Sequence, residues 1–261
     1  MPRLNATVVP RDVACAIEEL AMRAWPARTV HALHGWRLAF GDGLTRRINS
    51  VQAVDWDEHA RLDATLHQVE RFYIDRRLPP RFRVTAVSRP ESLDDRLAER
   101  GYAIEAPTDV LIAEAGRRQA GATRDLVSIA PEAAPEWQKL WLAQGGDEAA
   151  RMALLGRLPA ETIFALARTA SEPSGIGFAV IEQGWAGIFA MHTVKRFRGQ
   201  GVAAAVLDAL LARAAALGLR RLYLQVEQDN EPAQRLYRRA GFAFAYSYHY
   251  RTAGTVPRVL G

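Results

Sequence analysis

The chain has 261 residues, 49% of them hydrophobic, which is enough to bury one large core or two smaller ones. Its only cysteine, Cys15, excludes an internal disulfide framework. No stretch reaches the roughly 18 to 20 apolar residues that a membrane span needs, and the first residues lack the apolar segment of a signal peptide. We therefore expect a soluble, cytoplasmic protein with no membrane partner.

The 34 basic and 29 acidic side chains are interspersed and leave a net charge of +5. An excess of positive charge of this size can favour a polyanionic ligand. However, there is no extended basic arm and no RNA-binding signature of aromatic and basic residues, so nucleic acid is not expected as the main partner. The six histidines form no HExxH pattern and there is no cysteine pair to complete a zinc site, so no metal is expected.

The first half of the chain is predicted to contain a helix over 62–77, a strand over 82–87 and a second helix that ends at Gly101. The segment 113–125 has two glycines, scattered charges and no apolar period, which is typical of a linker. We therefore predict a first lobe over residues 1–112, a linker over 113–125 and a second lobe over 126–261.

The second half alternates between helical and strand-like patterns. The predicted elements are two short helices (136–142 and 148–158), a segment of either type (162–169), a strand hairpin (177–181 and 187–194), a long helix (202–217), a strand (222–226), a helix (231–240) and a closing strand (242–251). This order favours an α/β lobe with a mixed, mostly antiparallel sheet flanked by helices.

The two halves resemble each other when the sequence is shifted by 140 residues, which brings Leu62 onto Val202. In this one register the helices that begin there coincide, the strands that follow overlap, and Gly101 meets Gly241 at the end of the next helix. A register that holds through a helix, a strand, a helix and its glycine stop indicates two copies of one supersecondary unit. The expected fold class is therefore α/β with two tandem lobes.

The segment Arg198-Gly-Gln-Gly-Val-Ala203 follows a predicted strand and opens a predicted helix. Small residues at 199, 201 and 203 leave the backbone uncovered, so that N–H groups and the positive end of the helix can face a phosphate. A glycine pair before a helix can also be a tight connection without a ligand. The segment has neither a dinucleotide-binding fingerprint nor the Gly-Lys-Ser/Thr of a Walker loop.

Two motifs together resemble the GCN5-related N-acetyltransferase (GNAT) superfamily. Residues 198–203 match its Arg/Gln-x-x-Gly-x-Gly/Ala signature, and Asn230-Glu-Pro-Ala233 with Leu236-Tyr237-Arg-Arg-Ala-Gly241-Phe242 resembles its second hallmark. The resemblance covers residues 126–251 directly and the first half only through the repeat. It implies two tandem GNAT-like lobes and an N-acetyltransferase that uses acetyl-coenzyme A (acetyl-CoA).

The resemblance also implies which residues bind coenzyme A (CoA). The pyrophosphate would be held by the backbone of Arg198, Gly199, Gln200, Gly201, Val202 and Ala203. The pantetheine arm would pair with the strand end His192, Thr193 and Val194, where Thr193 replaces the usual aliphatic residue. Asn230 would contact the cofactor arm, or be a plain helix cap. Tyr237 would be the general acid near the thiol, or a core aromatic side chain.

The general base stays open among three residues. Trp185 occupies the position where some family members have a glutamate, and indole cannot accept a proton. Glu227 is the first choice, because it follows a predicted strand on the same side of the pleat as Gln225. Glu182 and His192 are the alternatives. Water, or an amine that arrives neutral, would make a base residue unnecessary.

In the repeat register the first lobe has lost the phosphate turn. Glu58 and His59 stand opposite Arg198 and Gly199, and a carboxylate there would repel a pyrophosphate. Leu97 stands opposite Tyr237. We therefore predict one CoA per chain, with the first lobe shaping an acceptor cleft. Candidate acceptor contacts in this lobe are Trp36, Arg37, Arg46, Arg47 and Asn49.

The predicted reaction is the transfer of an acetyl group to a primary amine by direct attack, without an acyl-enzyme. A small amine or amino acid is favoured as the acceptor, and a protein lysine is the alternative acceptor. A non-catalytic acyl-CoA-binding regulatory module is the alternative function. The oligomeric state is expected to be a monomer or a homodimer.

Overall fold

A computed structural model of the protein describes residues 4–114 and 127–254. The chain forms two units: the first runs to Asp109 and resumes at Ala245, and the second spans Val110–Phe244. The second lobe was predicted to span 126–261, whereas residues 245–254 group with the first unit. The predicted linker lies outside the described residues, except for Ala113 and Glu114, which belong to a strand.

The first unit is a sheet with helices. Its helices are α1 (Arg11–Ala24), α2 (Leu62–Ile74) and α3 (Leu93–Glu99), and its strands are β1 (Thr29–Leu33), β2 (Trp36–Phe40), β3 (Val51–Gln52), β4 (Arg81–Thr85), the first part of β5 (Ala103–Glu114) and most of β11 (Ala243–Thr252). The strand order is β1-β2-β3-β4-β11-β5. β3 and β4 are parallel, and the β1/β2, β2/β3 and β4/β11 pairs are antiparallel.

The core of this unit explains why α2 forms where the sequence predicts it. Leu66, Val69 and Tyr73 recur at helical spacing and are fully buried, in one cluster with Trp36 and Phe82. The hydroxyl of Tyr73 donates to the carbonyl of Ala39 at 2.9 Å, so this buried polar group is satisfied.

The second unit is also a sheet with helices. Its helices are α4 (Pro135–Leu142), α5 (Glu148–Leu155), α6 (Val202–Ala216) and α7 (Glu231–Arg239), and its further strands are β6 (Val127–Ala130), β7 (Thr162–Thr169), β8 (Glu172–Glu182), β9 (Trp185–Thr193) and β10 (Arg221–Glu227). The strand order is β5-β10-β9-β8-β7-β6, with β9 and β10 parallel and β6 to β9 antiparallel. The predicted mixed, mostly antiparallel α/β architecture is confirmed. None of the helices in the described ranges is long and apolar enough to cross a membrane.

Close packing of α6 on β8 accounts for two glycines of that strand. A Cβ atom at Gly175 would lie 2.6 Å from Val202 Cγ1, and one at Gly177 would lie 3.0 Å from Val206 Cγ1, both on α6. Because neither contact leaves room for a side chain, the glycines let the first turns of α6 lie directly on the sheet. This packing fixes where the N-terminus of α6 points.

The boundaries of the elements agree with the 140-residue register. α2 and α6 begin at Leu62 and Val202, β4 and β10 at Arg81 and Arg221, and β5 and β11 at Ala103 and Ala243. Gly101 and Gly241 both have left-handed backbones, with φ of +77° and +83°, and each follows a helix. These coincidences support the inference that the two halves repeat one supersecondary unit.

Candidate active site

The turn before α6 is built from two glycines with left-handed backbones. Gly199 has a φ of +75° and Gly201, the N-cap residue of α6, a φ of +82°. No side chain caps this helix and its first turn holds no acidic residue. A Cβ atom at either glycine would meet nothing within 4 Å. The helix N-terminus is therefore uncapped and no side chain crowds its two glycines, which lets an anion approach it.

The two parallel strands β9 and β10 separate beside this turn. Their pairing runs from Trp185 and Arg221 to Ile188 and Leu224, although β9 continues to Thr193. On its other side β9 shifts register against β8, and Ala190 adopts a left-handed φ of +51°. Because such a bulge bends one strand away from its neighbour, the last residues of β9 leave β10 and a gap opens between them.

The end of β9 lines a cavity of about 770 Å³ within the second unit. Lining residues come from the end of β9, the turn, α6 and α7: Met191, His192, Thr193, Phe197, Arg198, Gly199, Gly201, Val202, Ala203, Ala204, Leu207, Asp208, Asn230, Pro232, Ala233, Arg235, Leu236, Tyr237, Arg239 and Ala240. The structure thus brings both sequence motifs to one cavity. Val194, Gln200 and Glu227 were predicted as site residues and are not among those that line it.

The backbone near the end of β9 is partly engaged. Val194 donates its N–H to Ser174 O at 2.9 Å and accepts from Phe197 N at 2.8 Å, so its main chain is used in holding the turn. Arg198 Nε donates to Thr193 O at 3.3 Å. The side chain of Gln200 reaches back to Arg196 O at 3.0 Å. Both interactions brace the loop that carries the glycines.

Asn230 and Tyr237 both lie on the cavity wall formed by α7. Asn230 is the N-cap residue of α7, and its Oδ1 accepts from Ala233 N at 3.3 Å, so the cap interpretation is correct for its side-chain oxygen. Tyr237 is 7% exposed and packs edge-on against Phe242. Burial raises the pKa of Tyr237 to about 12, which keeps the phenol protonated at neutral pH.

The three candidate bases lie in different places. Glu182 pairs with Trp185 at the hairpin end of β8 and β9, away from the gap, which begins beyond Ile188. Glu227 is exposed at the end of β10. His192 lines the cavity and is half-buried. Burial and the nearby charge of Arg198 lower its pKa, so the imidazole is neutral and able to accept a proton near pH 7.

Two proposed acceptor contacts in the first unit have structural roles. Trp36 is fully buried, and its indole donates to Arg89 O at 2.8 Å. Asn49 is 2% exposed, and its Oδ1 accepts from the backbone of Gly41 and Gly43. Arg37 pairs with Glu19, while Arg46 and Arg47 lie over the rings of Tyr250 and Trp25. Trp36 and Asn49 are therefore unsuited to contact a substrate.

The charged residues that α7 and α6 add to the cavity were not predicted from the sequence. Arg235 and Arg239 are four residues apart on α7, and Asp208 lies in the second turn of α6. Helical spacing could have identified the two arginines, because they fall on the same helix face as Pro232 and Leu236. Their positions relative to the site follow only from the packing of α7.

Comparisons with known proteins agree with the fold and the motifs. A family model described as "Probable histone acetyltransferase Rv0428c C-terminal" matches residues 14–251. YobR of Bacillus subtilis strain 168, an uncharacterized N-acetyltransferase, is 27% identical over 248 residues, 90% of this chain and 96% of that protein. A GCN5-related N-acetyltransferase from Kribbella flavida superposes with a TM-score of 0.69 at 17% identity, over 96% of this chain and 98% of that chain. A tandem GNAT protein from the clavulanic acid biosynthesis pathway superposes with a TM-score of 0.62 at 11% identity, over 98% of this chain and 91% of that chain. These likenesses confirm the predicted tandem GNAT-like fold.

Proposed function

Because the chain belongs to the Rv0428c C-terminal family of probable histone acetyltransferases, and so to the GNAT-type acetyltransferases, we propose that it transfers the acetyl group of acetyl-CoA to a primary amine. The observation that carries the proposal is the uncapped glycine turn of α6, which opens onto the same cavity as Tyr237 and His192. A small amine or amino acid is the proposed acceptor. A protein lysine is the second candidate, since the family description names histones.

The residues of the cavity fit CoA. Gly199 and Gly201 leave uncovered N–H groups for a pyrophosphate. Beyond Ile188 the backbone of β9 has no pairing with β10, so an extended pantetheine arm can add to it as a strand. When bound, acetyl-CoA supplies a thioester that an amine can attack directly. No residue of the chain needs to carry the acetyl group.

Two side chains have the protonation states that the reaction requires. His192, neutral at its ring nitrogen, can accept a proton from the attacking amine. Tyr237, protonated at its hydroxyl, can donate toward the departing sulfur. Glu227, the first choice from the sequence, stays a prediction as an alternative base. Since it does not line the cavity, we propose His192 ahead of it.

The proposal is tested by comparing two glycine variants with the same backbone requirement. Gly201→Ala keeps every backbone N–H group but places a Cβ atom in the open space in front of the turn, where the phosphate would lie. If this keeps one phosphate oxygen from its N–H, CoA binding is expected to weaken by about 10- to 100-fold, the effect of losing one charge-assisted hydrogen bond, and thiol release from acetyl-CoA in the presence of amines should fall accordingly. Gly218, at the other end of α6, has a φ of +77° and equally open surroundings. Gly218→Ala should therefore carry the same strain of about 1 to 2 kcal/mol and leave binding unchanged.

Binding is measured by titration calorimetry with CoA, and turnover with amino acids, polyamines and lysine peptides as acceptors. Equal loss of binding in both variants would mean that strain alone is responsible and that the turn does not hold the phosphates. Binding of CoA without turnover of any acceptor would favour the regulatory module instead of the transferase.

A second prediction concerns the pH dependence of kcat/KM. Since His192 must be neutral to act as a base and its pKa is lowered, its protonation should reduce the wild-type rate as the pH drops below the usual histidine value of about 6.5. His192→Gln should lose this acid limb together with most of the rate. Arg198→Gln removes a positive charge that lowers the pKa of His192. The pKa of His192 should therefore rise in this variant, and kcat/KM should begin to fall at a higher pH than in the wild type.

The acceptor amine also titrates, and its contribution cancels when variants are compared with the same acceptor. Glu227→Gln is the parallel variant for the alternative base. If it abolishes the acid limb while His192→Gln retains it, the base is Glu227.

A further inference from the structure

Three arginines line the cavity. Arg198 lies beside the turn, while Arg235 and Arg239 stand on α7, one helical turn apart on one face. Asp208 is the carboxylate among the lining residues. The three guanidinium groups outnumber the carboxylates of Asp208 and of Glu231, which pairs with Arg235. This wall therefore adds positive charge to that of the helix N-terminus, which favours a ligand with an anionic group beside the pyrophosphate.

Arg235 can reach a ligand at little cost. Its Nη1 lies 2.9 Å from Glu231 Oε2, but the two side chains are 56% and 76% exposed. An exposed pair of this kind contributes little to stability, so a phosphate can replace the carboxylate as partner. Arginine suits that exchange because its planar fork binds two phosphate oxygens at once.

CoA carries, besides its pyrophosphate, a phosphomonoester on the 3′ oxygen of its ribose, with roughly two negative charges near neutral pH. Resting on the proposed use of acetyl-CoA, we propose that Arg235 and Arg239 bind this 3′-phosphate and make the enzyme select CoA over 3′-dephospho-CoA. The backbone turn at Gly199 and Gly201 holds the pyrophosphate that both ligands share. The two arginines contact the 3′-phosphate, which CoA has and 3′-dephospho-CoA lacks.

The test measures the binding of CoA and of 3′-dephospho-CoA to the full chain by calorimetry at low ionic strength. Wild-type protein is expected to prefer CoA by about tenfold or more, the usual effect of one or two hydrogen bonds to a charged group. The double variant Arg235→Ala/Arg239→Ala should bind both ligands with nearly equal affinity, through loss of CoA affinity alone. Adding salt should reduce the wild-type preference toward that of the double variant.

Arg238→Ala is the matched control, because Arg238 is exposed on the same helix, donates to Gln234 O and is not among the lining residues. It should keep the wild-type preference. Equal wild-type affinities for the two ligands, or a preference that survives in the double variant, would overturn the 3′-phosphate assignment and leave acetyl transfer intact. If wild-type protein bound neither ligand, the proposed function itself would fail.

Discussion

Replacing Tyr237 with phenylalanine is expected to lower kcat about 100-fold and to change the KM for acetyl-CoA little. The variant keeps the ring, its edge-on contact with Phe242 and its burial, and removes only the hydroxyl. A group that acts on the leaving sulfur affects the transition state and not the binding of the thioester. The effect should therefore appear in kcat, measured by thiol release at saturating acetyl-CoA.

The pKa of Tyr237 sets the size of this effect. General acids contribute about 10²- to 10⁴-fold, and most when their pKa lies close to that of the group they protonate. Burial raises the pKa of Tyr237 to about 12, whereas an ordinary thiol has a pKa near 8.5. Because the phenol is a weaker acid than the thiol, complete proton transfer from Tyr237 to the sulfur is unfavourable. The phenol therefore acts mainly as a hydrogen-bond donor, and its contribution to the rate lies at the lower end of the 10²- to 10⁴-fold range.

The control is Tyr223→Phe, a second buried tyrosine of the same unit that lies on β10 and is not among the cavity-lining residues. It should leave kcat within about twofold of wild type. A Tyr237→Phe variant with wild-type kcat at every pH would show that another group, or water, assists the leaving sulfur.

The parts of the site that could be predicted from the sequence are those set by local chemistry. Helix α6 follows from its run of alanine and leucine, and both the glycine turn and the Asn230 cap are encoded within a few residues. Tyr237 could be identified because its motif and the turn both match one superfamily. Each of these features depends on neighbours in the chain, so the pattern alone predicts it.

The parts that could not be predicted depend on contacts distant in sequence. The left-handed Ala190 and the separation of β9 from β10 arise where β8, β9 and α6 pack together, and alanine gives no signal for a bulge. Glu227 and His192 cannot be ranked without knowing where the gap opens. The pairing of β11 with β4 joins residues more than 150 positions apart, so no local pattern in the sequence predicts it.

The first unit contains a buried ion pair whose disruption is expected to have the largest effect on stability. Glu18 of α1 is 0% exposed, and its Oε1 lies 2.8 Å from Nη2 of Arg83 on β4. The same oxygen accepts from the hydroxyl of Tyr246 at 2.6 Å, and the guanidinium of Arg83 lies over the ring of Tyr248. The pair therefore joins α1, β4 and β11 in the interior of one unit.

Glu18→Gln should destabilise this unit by about 3 to 5 kcal/mol, because it leaves the charge of Arg83 buried without a counter-charge. Glu19→Gln is the matched control on the same helix. Glu19 pairs with Arg37 and Arg23 at the surface, with 29% of its side chain exposed, so its loss should cost under 1 kcal/mol.

Hydrogen exchange of peptides that cover β4 measures the opening free energy of this unit itself, which a single denaturation curve of a two-unit chain does not. The double variant Glu18→Leu/Arg83→Met should recover most of the loss, since apolar side chains of similar volume avoid the desolvation of both charges. If Glu18→Gln cost no more than Glu19→Gln, the charge of Arg83 would have to be compensated by its ring contact and by hydrogen bonds alone. If instead the double variant were as unstable as Glu18→Gln, the pair itself, and not the unbalanced charge, would be what stabilises the junction of α1, β4 and β11.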